Sequence, residues 1–180
     1  LLLARGANIA ARTSNGWTPL HMAVWDDFDH SDVVRLLLDS GADIQGRELR
    51  HGRTPLHLAS ASGLIPSILL LCERGAKKES QDDRGRTPLY YAAYCSSEEG
   101  VRTLLELGAN ATTRAYDGTT PLDEIGRWED ADKDPSRDQR IRAMLLRAGA
   151  TVSTAEDTAP TSQRDGGQDD EGNRIEGASS

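Results

Sequence analysis

The feature that most constrains this chain is a tripeptide, Thr-Pro-Leu, that returns at a nearly fixed interval. The intervals between its threonines are 36, 33 and 33 residues, and the threonines are Thr18, Thr54, Thr87 and Thr120. A leucine-rich run ending in Gly-Ala keeps the same phase, with its glycines at Gly6, Gly41, Gly75, Gly108 and Gly149. Two unrelated patterns with one period indicate an array of structural repeats.

The composition also favours an array over one large globular core. Hydrophobic residues make up 37% of the 180 residues, and aromatic residues only 4%. A stack of small repeats folds with such a modest content, because each unit buries its aliphatic side chains against its neighbours.

Each unit is predicted to contain two helices, as its second occurrence shows. Thr54 can cap the first free amides of a helix, and Pro55 is tolerated at the first helical position. Gly63 is expected to end this helix, and Pro66 to open the next one. Gly75 then ends the second helix, where a left-handed conformation suits glycine. The polar segment that follows leads to the next Thr-Pro-Leu.

This unit resembles the ankyrin repeat, whose signature is Gly-x-Thr-Pro-Leu-His, followed by a leucine-rich second helix and Gly-Ala. The chain departs from it at Tyr90 and Asp123, which replace the histidine. The resemblance implies an all-α fold, an ankyrin-repeat solenoid of helix-turn-helix repeats joined by hairpin-like loops. The predicted repeat domain spans residues 1–152, as a partial repeat 1–13 and repeats at about 14–48, 49–81, 82–114 and 115–152.

The two ends of the chain differ in character. The first repeat is partial, so we expect the chain to be a fragment of a longer ankyrin-repeat protein. Residues 151–180 hold seven acidic residues against two arginines, and only Val152 and Ile175 as large aliphatic residues. Two such side chains cannot offset the entropy of ordering thirty residues, so we predict a disordered acidic tail at 153–180. We further expect this tail to fold back weakly onto the rim formed by Arg50, Arg53, Arg84 and Arg86.

Charge and cysteine usage exclude several classes of function. The net charge is −8, without the basic excess that nucleic-acid binding requires. Cys72 and Cys95 lie far apart, which is neither a disulfide framework nor a zinc motif. We therefore expect an intracellular protein, cytoplasmic first and nuclear as the alternative, with no membrane insertion.

One acidic stretch has the spacing of a calcium-binding loop but not its other requirements. Asp130, Asp132 and Asp134 are correctly spaced, yet the sixth and twelfth positions are Pro135 and Ile141 instead of Gly and Glu. We therefore predict a solvated insertion and no metal site or cofactor.

The histidines give no sign of catalysis either. His21 and His57 occupy the signature position, where the resemblance implies structural hydrogen bonds. A nucleophilic site would need a base within reach of a nucleophile and a group that orients the base, and no such set is evident. We predict no catalytic residue and no enzyme activity.

The resemblance implies a concave binding surface made of the loop tips and the first helices. Five of the eight aromatic residues fall on it, and aromatic and arginine side chains are enriched in interface hot spots. The alternative for Trp25 and Trp128 is that they pack inward. The predicted partner-binding residues are Trp17, Trp25, Arg50, His51, Arg53, Arg84, Arg86, Tyr94, Tyr116 and Trp128.

The function that follows is a non-catalytic protein–protein interaction module, acting as a scaffold or adaptor. We expect a monomer that binds a protein segment carrying acidic and apolar residues. The alternative is a regulatory or substrate-recruiting ankyrin segment of a larger signalling enzyme or ubiquitin-ligase adaptor, with its catalytic part upstream.

Overall fold

The computed structural model describes residues 6–25, 28, 30–127 and 134–152. Every regular element in those ranges is an α-helix, which confirms the predicted all-α solenoid. The helices are α1 (Pro19–Met22), α2 (Ser31–Asp39), α3 (Pro55–Ser62), α4 (Ile65–Glu73), α5 (Pro88–Tyr94), α6 (Glu98–Glu106) and α7 (Pro135–Arg147).

The helices form two rows that stack along the array. In the first row α1 packs on α3 and α3 packs on α5, and in the second row α2 packs on α4 and α4 on α6, with α7 against α6. The core lies between the rows and repeats with the units, as Leu20, Leu56 and Leu89 are all 0–1% exposed. Each unit therefore buries its apolar side both between its own two helices and against its neighbours.

The predicted helix boundaries hold in the second unit, for the predicted reasons. Helix α3 starts at Pro55, directly after Thr54 in extended conformation, and stops at Gly63, whose φ is +69°. Helix α4 begins at Ile65, one residue before Pro66. Gly75 follows it with a φ of +94°, a region in which only glycine is comfortable.

The loops between units form a third row beside the first helices. The amide of Leu49 donates to the carbonyl of Asn15 at 2.9 Å, and the amide of Tyr116 donates to that of Arg84 at 2.8 Å. The Tyr116 ring also covers Gly85, where an added Cβ would come within 2.6 Å of it. Each loop is thus placed by the loop before it.

The fourth unit departs from the prediction of two helices. After Thr120 the chain forms turns rather than an α-helix, and Gly126, with a φ of +66°, follows within six residues. The carboxylate of Asp123 accepts from the Thr120 amide at 2.8 Å and from its hydroxyl at 2.7 Å. His21 and His57 make the equivalent contacts with Thr18 and Thr54 where helices do begin, so these bonds do not prevent a helix. The difference is that the left-handed glycine comes six residues after the threonine here, instead of nine as in the second unit.

Some predicted features lie outside the described residues. These are Trp128, the calcium-like Asp130 and Asp132, and the acidic tail at 153–180. Within the described part of the chain, no helix has the length and hydropathy to cross a membrane.

Leu37→Ala should lower the free energy of unfolding by about 2–5 kcal/mol, because it opens a cavity in the core between α2 and α4. Leu37 is 6% exposed, whereas its neighbour Leu36 is 53% exposed. Leu36→Ala is therefore the matched control and should cost far less. Urea denaturation of both variants measures the difference, and equal losses would contradict this placement of the core.

Candidate functional site

Aromatic and arginine side chains alternate along the surface made by the first helices and the loops. The rings of Trp17 and Trp25 meet edge to face, with centroids 4.6 Å apart. The Arg53 guanidinium lies 6.0 Å from the ring centroids of both Trp25 and Tyr91. The Arg86 guanidinium follows, 4.8 Å from the Tyr91 centroid. We call these five residues the aromatic–arginine row; each arginine is within the range of cation–π attraction.

The repeat period accounts for this alignment. Trp17, Arg53 and Arg86 each stand directly before a Thr-Pro-Leu, so stacking of the units places them side by side. Trp25 comes just after α1, and Tyr91 lies in α5. Residues at equivalent positions of successive repeats therefore form a continuous stripe on the surface of the array.

Arg53 is held from below by a buried carboxylate. The Glu48 side chain is fully buried and accepts from the Arg53 Nε at 3.1 Å. It also accepts from the amides of Arg50 and His51 at 2.7 and 2.9 Å. Burial raises the pKa of this carboxyl, but the hydrogen bonds from Arg50 and Arg53 outweigh it and leave the pKa below its usual value.

Arg86 has an equivalent anchor in the next loop. The buried carboxylate of Asp82 accepts from the Arg86 side chain at 2.7–2.8 Å and from the Tyr91 hydroxyl at 2.9 Å. Burial raises the pKa of the Asp82 carboxyl, but the hydrogen bonds lower it by more, so the pKa lies below its usual value. The carboxylate therefore stays ionised at neutral pH. Burial also raises the pKa of Tyr91, which remains a phenol that donates to Asp82.

The signature histidines fix the backbone of the two arginines. The His21 Nε2 donates to the Arg53 carbonyl at 3.2 Å, and the His57 Nε2 donates to the Arg86 carbonyl at 3.0 Å. The His57 Nδ1 accepts from the amide of Thr54 at 3.0 Å. Burial lowers the pKa of His57 to about 4, so the imidazole is neutral. The predicted structural role of both histidines is thus what the geometry shows.

A cleft of about 370 Å³ opens beside the row, between the ends of α3 and α5. Its apolar surface comes from Trp25, Leu58, Tyr91 and Tyr94, and the Arg137 side chain of α7 stands at its border. Trp25 is 51% exposed, so this indole faces solvent rather than packing inward. An aromatic wall beside guanidinium groups can receive apolar or aromatic side chains, with carboxylates at the edge.

The structure brings half of the predicted partner-binding residues together. Those in the row or the cleft are Trp17, Trp25, Arg53, Arg86 and Tyr94. Those on the loops between units are Arg50, His51, Arg84 and Tyr116. Trp128 lies outside the described residues. Their contact with a partner stays a prediction.

Two of these residues are placed differently from what the sequence suggested. The side chains of Arg53 and Arg86 are only 16% and 15% exposed, because Glu48 and Asp82 engage them. Sequence reasoning also missed Tyr91, which joins the two arginines. A signal was present, since an acidic residue precedes each arginine by four or five positions in both loops.

A second cleft, of about 860 Å³, lies at the ends of the second helices. Its apolar part includes Leu69, Cys72 and Leu107, and Lys78 lies beside them. Cys72 is half-buried, and burial raises the pKa of its thiol, so the cysteine is held in its unreactive protonated form. This cleft contains none of the predicted partner-binding residues.

Comparison with known families agrees with the repeat architecture. A family model of ankyrin repeats in three copies matches residues 45–115, and a model of the single ankyrin repeat matches residues 15–47. The two matches together cover more than half of the chain. The chain belongs to the ankyrin-repeat family, whose domains are generally non-catalytic protein-interaction modules.

Several curated proteins are similar over part of this chain. Human protein fem-1 homolog A is 38% identical over 82 residues, covering 39% of this chain and 12% of that protein. The Arabidopsis thaliana E3 ubiquitin-protein ligase KEG is 37% identical over 84 residues, covering 46% and 5%. The Drosophila melanogaster NF-kappa-B inhibitor cactus is 42% identical over 53 residues, covering 29% and 10%. The chain thus matches only a small fraction of each relative's length.

Stability should fall as the pH drops from 6.5 toward 4, because the unfolded state then binds a proton at residue 57 and the folded state does not. The ordinary histidine pKa is 6.5 and that of folded His57 about 4, which corresponds to roughly 3 kcal/mol lost over this range. His57→Gln removes the titrating group but keeps a donor and an acceptor. Urea denaturation at pH 7, 5.5 and 4.5 should show a shallower decline for this variant, and identical pH profiles would contradict the assignment.

Asp82→Ala should lower the free energy of unfolding by about 3–5 kcal/mol, because it leaves the largely buried Arg86 guanidinium without its carboxylate. Asp83→Ala is the matched control, since the Asp83 side chain is 58% exposed and pairs with an exposed Arg47. Asp83→Ala should lower the free energy of unfolding by no more than about 1 kcal/mol. Thermal or urea unfolding of the two variants compares them directly, and a mild effect of Asp82→Ala would show that the pair is not a structural anchor.

Proposed function

We propose that this chain binds a partner protein on its concave surface, at the aromatic–arginine row and the adjacent cleft, and acts as a scaffold or adaptor. The single observation that carries the proposal is the exposed Trp25 indole, half in solvent beside a cleft of about 370 Å³. A large aromatic side chain exposed next to other apolar side chains on a folded domain is typical of an interaction site.

The mechanism is recognition by a prebuilt surface. The side chains of the row are held by buried groups, Arg53 by Glu48 and Arg86 by Asp82 and Tyr91. Because these side chains are already ordered, a partner does not bear the entropy of fixing them. The surface therefore favours a segment that matches its shape over one that must reshape it.

The charges favour a partner with acidic as well as apolar residues. Arg50 and Arg84 are exposed on neighbouring loops, and neither guanidinium has an ion pair among the residues that the structure describes. Arg137 adds a third guanidinium at the cleft border. An apolar side chain in the cleft with carboxylates toward the loops would satisfy both features.

The buried polar groups of the described residues are all engaged within the scaffold. Among the described residues, no buried side-chain nitrogen or oxygen lacks a hydrogen-bond partner, and no cluster of three or more potential metal ligands occurs. The histidines of the scaffold are neutral and fully engaged at the unit interfaces.

The second candidate function is regulation or substrate recruitment within a larger signalling enzyme or ubiquitin ligase. Similarity to a protein named as an E3 ubiquitin-protein ligase and to one named as an NF-kappa-B inhibitor favours it. Both candidates use the same binding surface. They differ in whether the captured partner becomes modified in the presence of the full-length protein.

Trp25→Ala should weaken partner binding about tenfold or more while leaving the fold intact, since it removes a central aromatic contact. The control is Leu146→Ala, because Leu146 on α7 is 53% exposed, close to the 51% of Trp25. Affinity capture with mass spectrometry identifies partners of the wild-type chain, and calorimetry with a purified partner then measures both variants. Equal affinities for the two variants would move the binding site away from the cleft.

A further inference from the structure

The outer side of α7 carries arginines that no carboxylate of the described residues engages. Arg142 and Arg147 are exposed, and neither guanidinium has an ion pair within the ranges that the structure describes, whereas Arg140 pairs with Glu98 at 2.8 Å. The one acidic residue of α7 is Asp138, whose carboxylate accepts from the hydroxyl of the α5–α6 turn residue Ser96 at 2.6 Å. The charge of the outer side is therefore not neutralised by its own helix.

The other residues on this side of the helix are apolar. Leu146 is 53% exposed and follows Arg142 by four residues, and the exposed Ala143 precedes Arg147 by four. Residues four apart are neighbours on a helix surface. These apolar neighbours offer the guanidinium groups no acceptor, so their donors are open to a carboxylate from elsewhere. We call Arg142, Ala143, Leu146 and Arg147 the α7 face.

Arg142 stands where the other second helices have a buried aliphatic residue. Counted back from the glycine of Gly-Ala, it corresponds to Val34, Ile68 and Val101, each of which is 0% exposed. Stacking of a unit on α7 in the manner of the earlier units would therefore bury a guanidinium, which is costly without a partner. The α7 face is suited to an acidic occupant instead.

The acidic tail has the complementary charge. Residues 153–180 contain seven acidic residues against two arginines, a net charge of −5. Four of the acids fall within seven positions that hold no basic residue, and we call residues 165–171 the acidic segment. Complementary charge favours association and selects between surfaces. The acids of the segment are Asp165, Asp169, Asp170 and Glu171.

The length of chain between α7 and the acidic segment also fits. Twelve residues, 153–164, separate the described part of the chain from the segment. A coil of that length has an r.m.s. end-to-end distance of about 20 Å. The 13 residues of α7 span about 20 Å as well. A tether that matches the distance to be spanned gives the highest effective concentration.

The rim of the concave surface offers the acidic segment less. The side chains of Arg53 and Arg86 are engaged by buried carboxylates and are only 16% and 15% exposed. Arg50 and Arg84 are exposed, but they belong to the second and third units, whereas the tail follows the fourth. The α7 face combines unpaired charge with the shorter path along the array.

We propose that the α7 face is the docking surface for the acidic segment of this same chain, with the carboxylates of residues 165–171 against Arg142 and Arg147. This surface replaces the rim of the concave surface as the place where the tail folds back. The contact joins exposed charges, so it is weak and sensitive to salt. It leaves the aromatic–arginine row open to a partner.

The test keeps the full chain and neutralises the acidic segment. Backbone amide NMR spectra of the wild-type chain are compared with those of a variant in which the four acids are replaced by amides. The resonances of residues 142–147 should shift between the two chains, and those of the loops at residues 50 and 84 should not. The shifts should be lost in about 0.5 M sodium chloride, where exposed charges are screened. The four changes are Asp165→Asn, Asp169→Asn, Asp170→Asn and Glu171→Gln.

Reversal of charge on each candidate surface provides the matched controls. In a chain with Arg142→Glu and Arg147→Glu, neutralising the acidic segment should no longer shift the α7 resonances. In a chain with Arg50→Glu and Arg84→Glu, the shifts should persist. All four arginines are exposed, and the dispersion of the amide spectrum reports whether each variant is folded.

Three results would overturn the proposal. Identical spectra of the wild-type and neutralised chains would show that the segment does not contact the α7 face. Shifts in the loops that only the Arg50→Glu and Arg84→Glu pair abolishes would place the tail on the rim. Shifts at α7 that survive high salt or the Arg142→Glu and Arg147→Glu pair would show that these charges do not hold the segment.

Discussion

The hydrogen bond from each signature histidine to the next unit ties the scaffold and the candidate site together. The His57 imidazole accepts from the Thr54 amide at the start of its own helix and donates to the Arg86 carbonyl of the following unit. His21 makes the same bond to Arg53. Both rings are fully buried, so loss of either partner would leave an unsatisfied polar group. The helix start, the stacking of units and the position of each arginine therefore depend on one side chain.

The anchoring of the arginines decides what the concave surface can offer. The buried carboxylates of Glu48 and Asp82 neutralise the charges of Arg53 and Arg86. The two arginines therefore offer a partner the flat faces of their guanidinium groups, beside the aromatic rings, rather than an unpaired charge. Positive charge is available at the exposed Arg50 and Arg84 on the loop tips. This division explains how a chain of net charge −8 can still present a surface suited to an acidic segment.

The fold was largely predictable because the repeat period determines both the helix starts and the stacking direction, as at Thr54 and Gly63. The fourth unit was not, since Thr-Pro-Leu alone does not specify a helix: at Thr120 it is followed by turns and by Gly126 within six residues. At the candidate site, the repeat positions predicted that Trp17, Arg53 and Arg86 lie side by side. They did not show that the side chains of Arg53 and Arg86 are largely buried. The acidic residue ahead of each arginine was a signal, but the contact of Asp82 with Arg86 depends on how the loop closes, which the sequence does not show.

The two ends of the array bear differently on binding. The C-terminal end is closed by charged residues such as Arg142, whereas the first unit is the less covered one and contributes Trp17 and Trp25 to the row. Its first helix, α1, has only four residues. In a solenoid, the stability of each unit depends on its neighbours, and a terminal unit opens most easily. The Trp17 and Trp25 indoles thus stand on the least supported unit of the described array, so the order of that unit determines how well this end of the row is preorganised for binding.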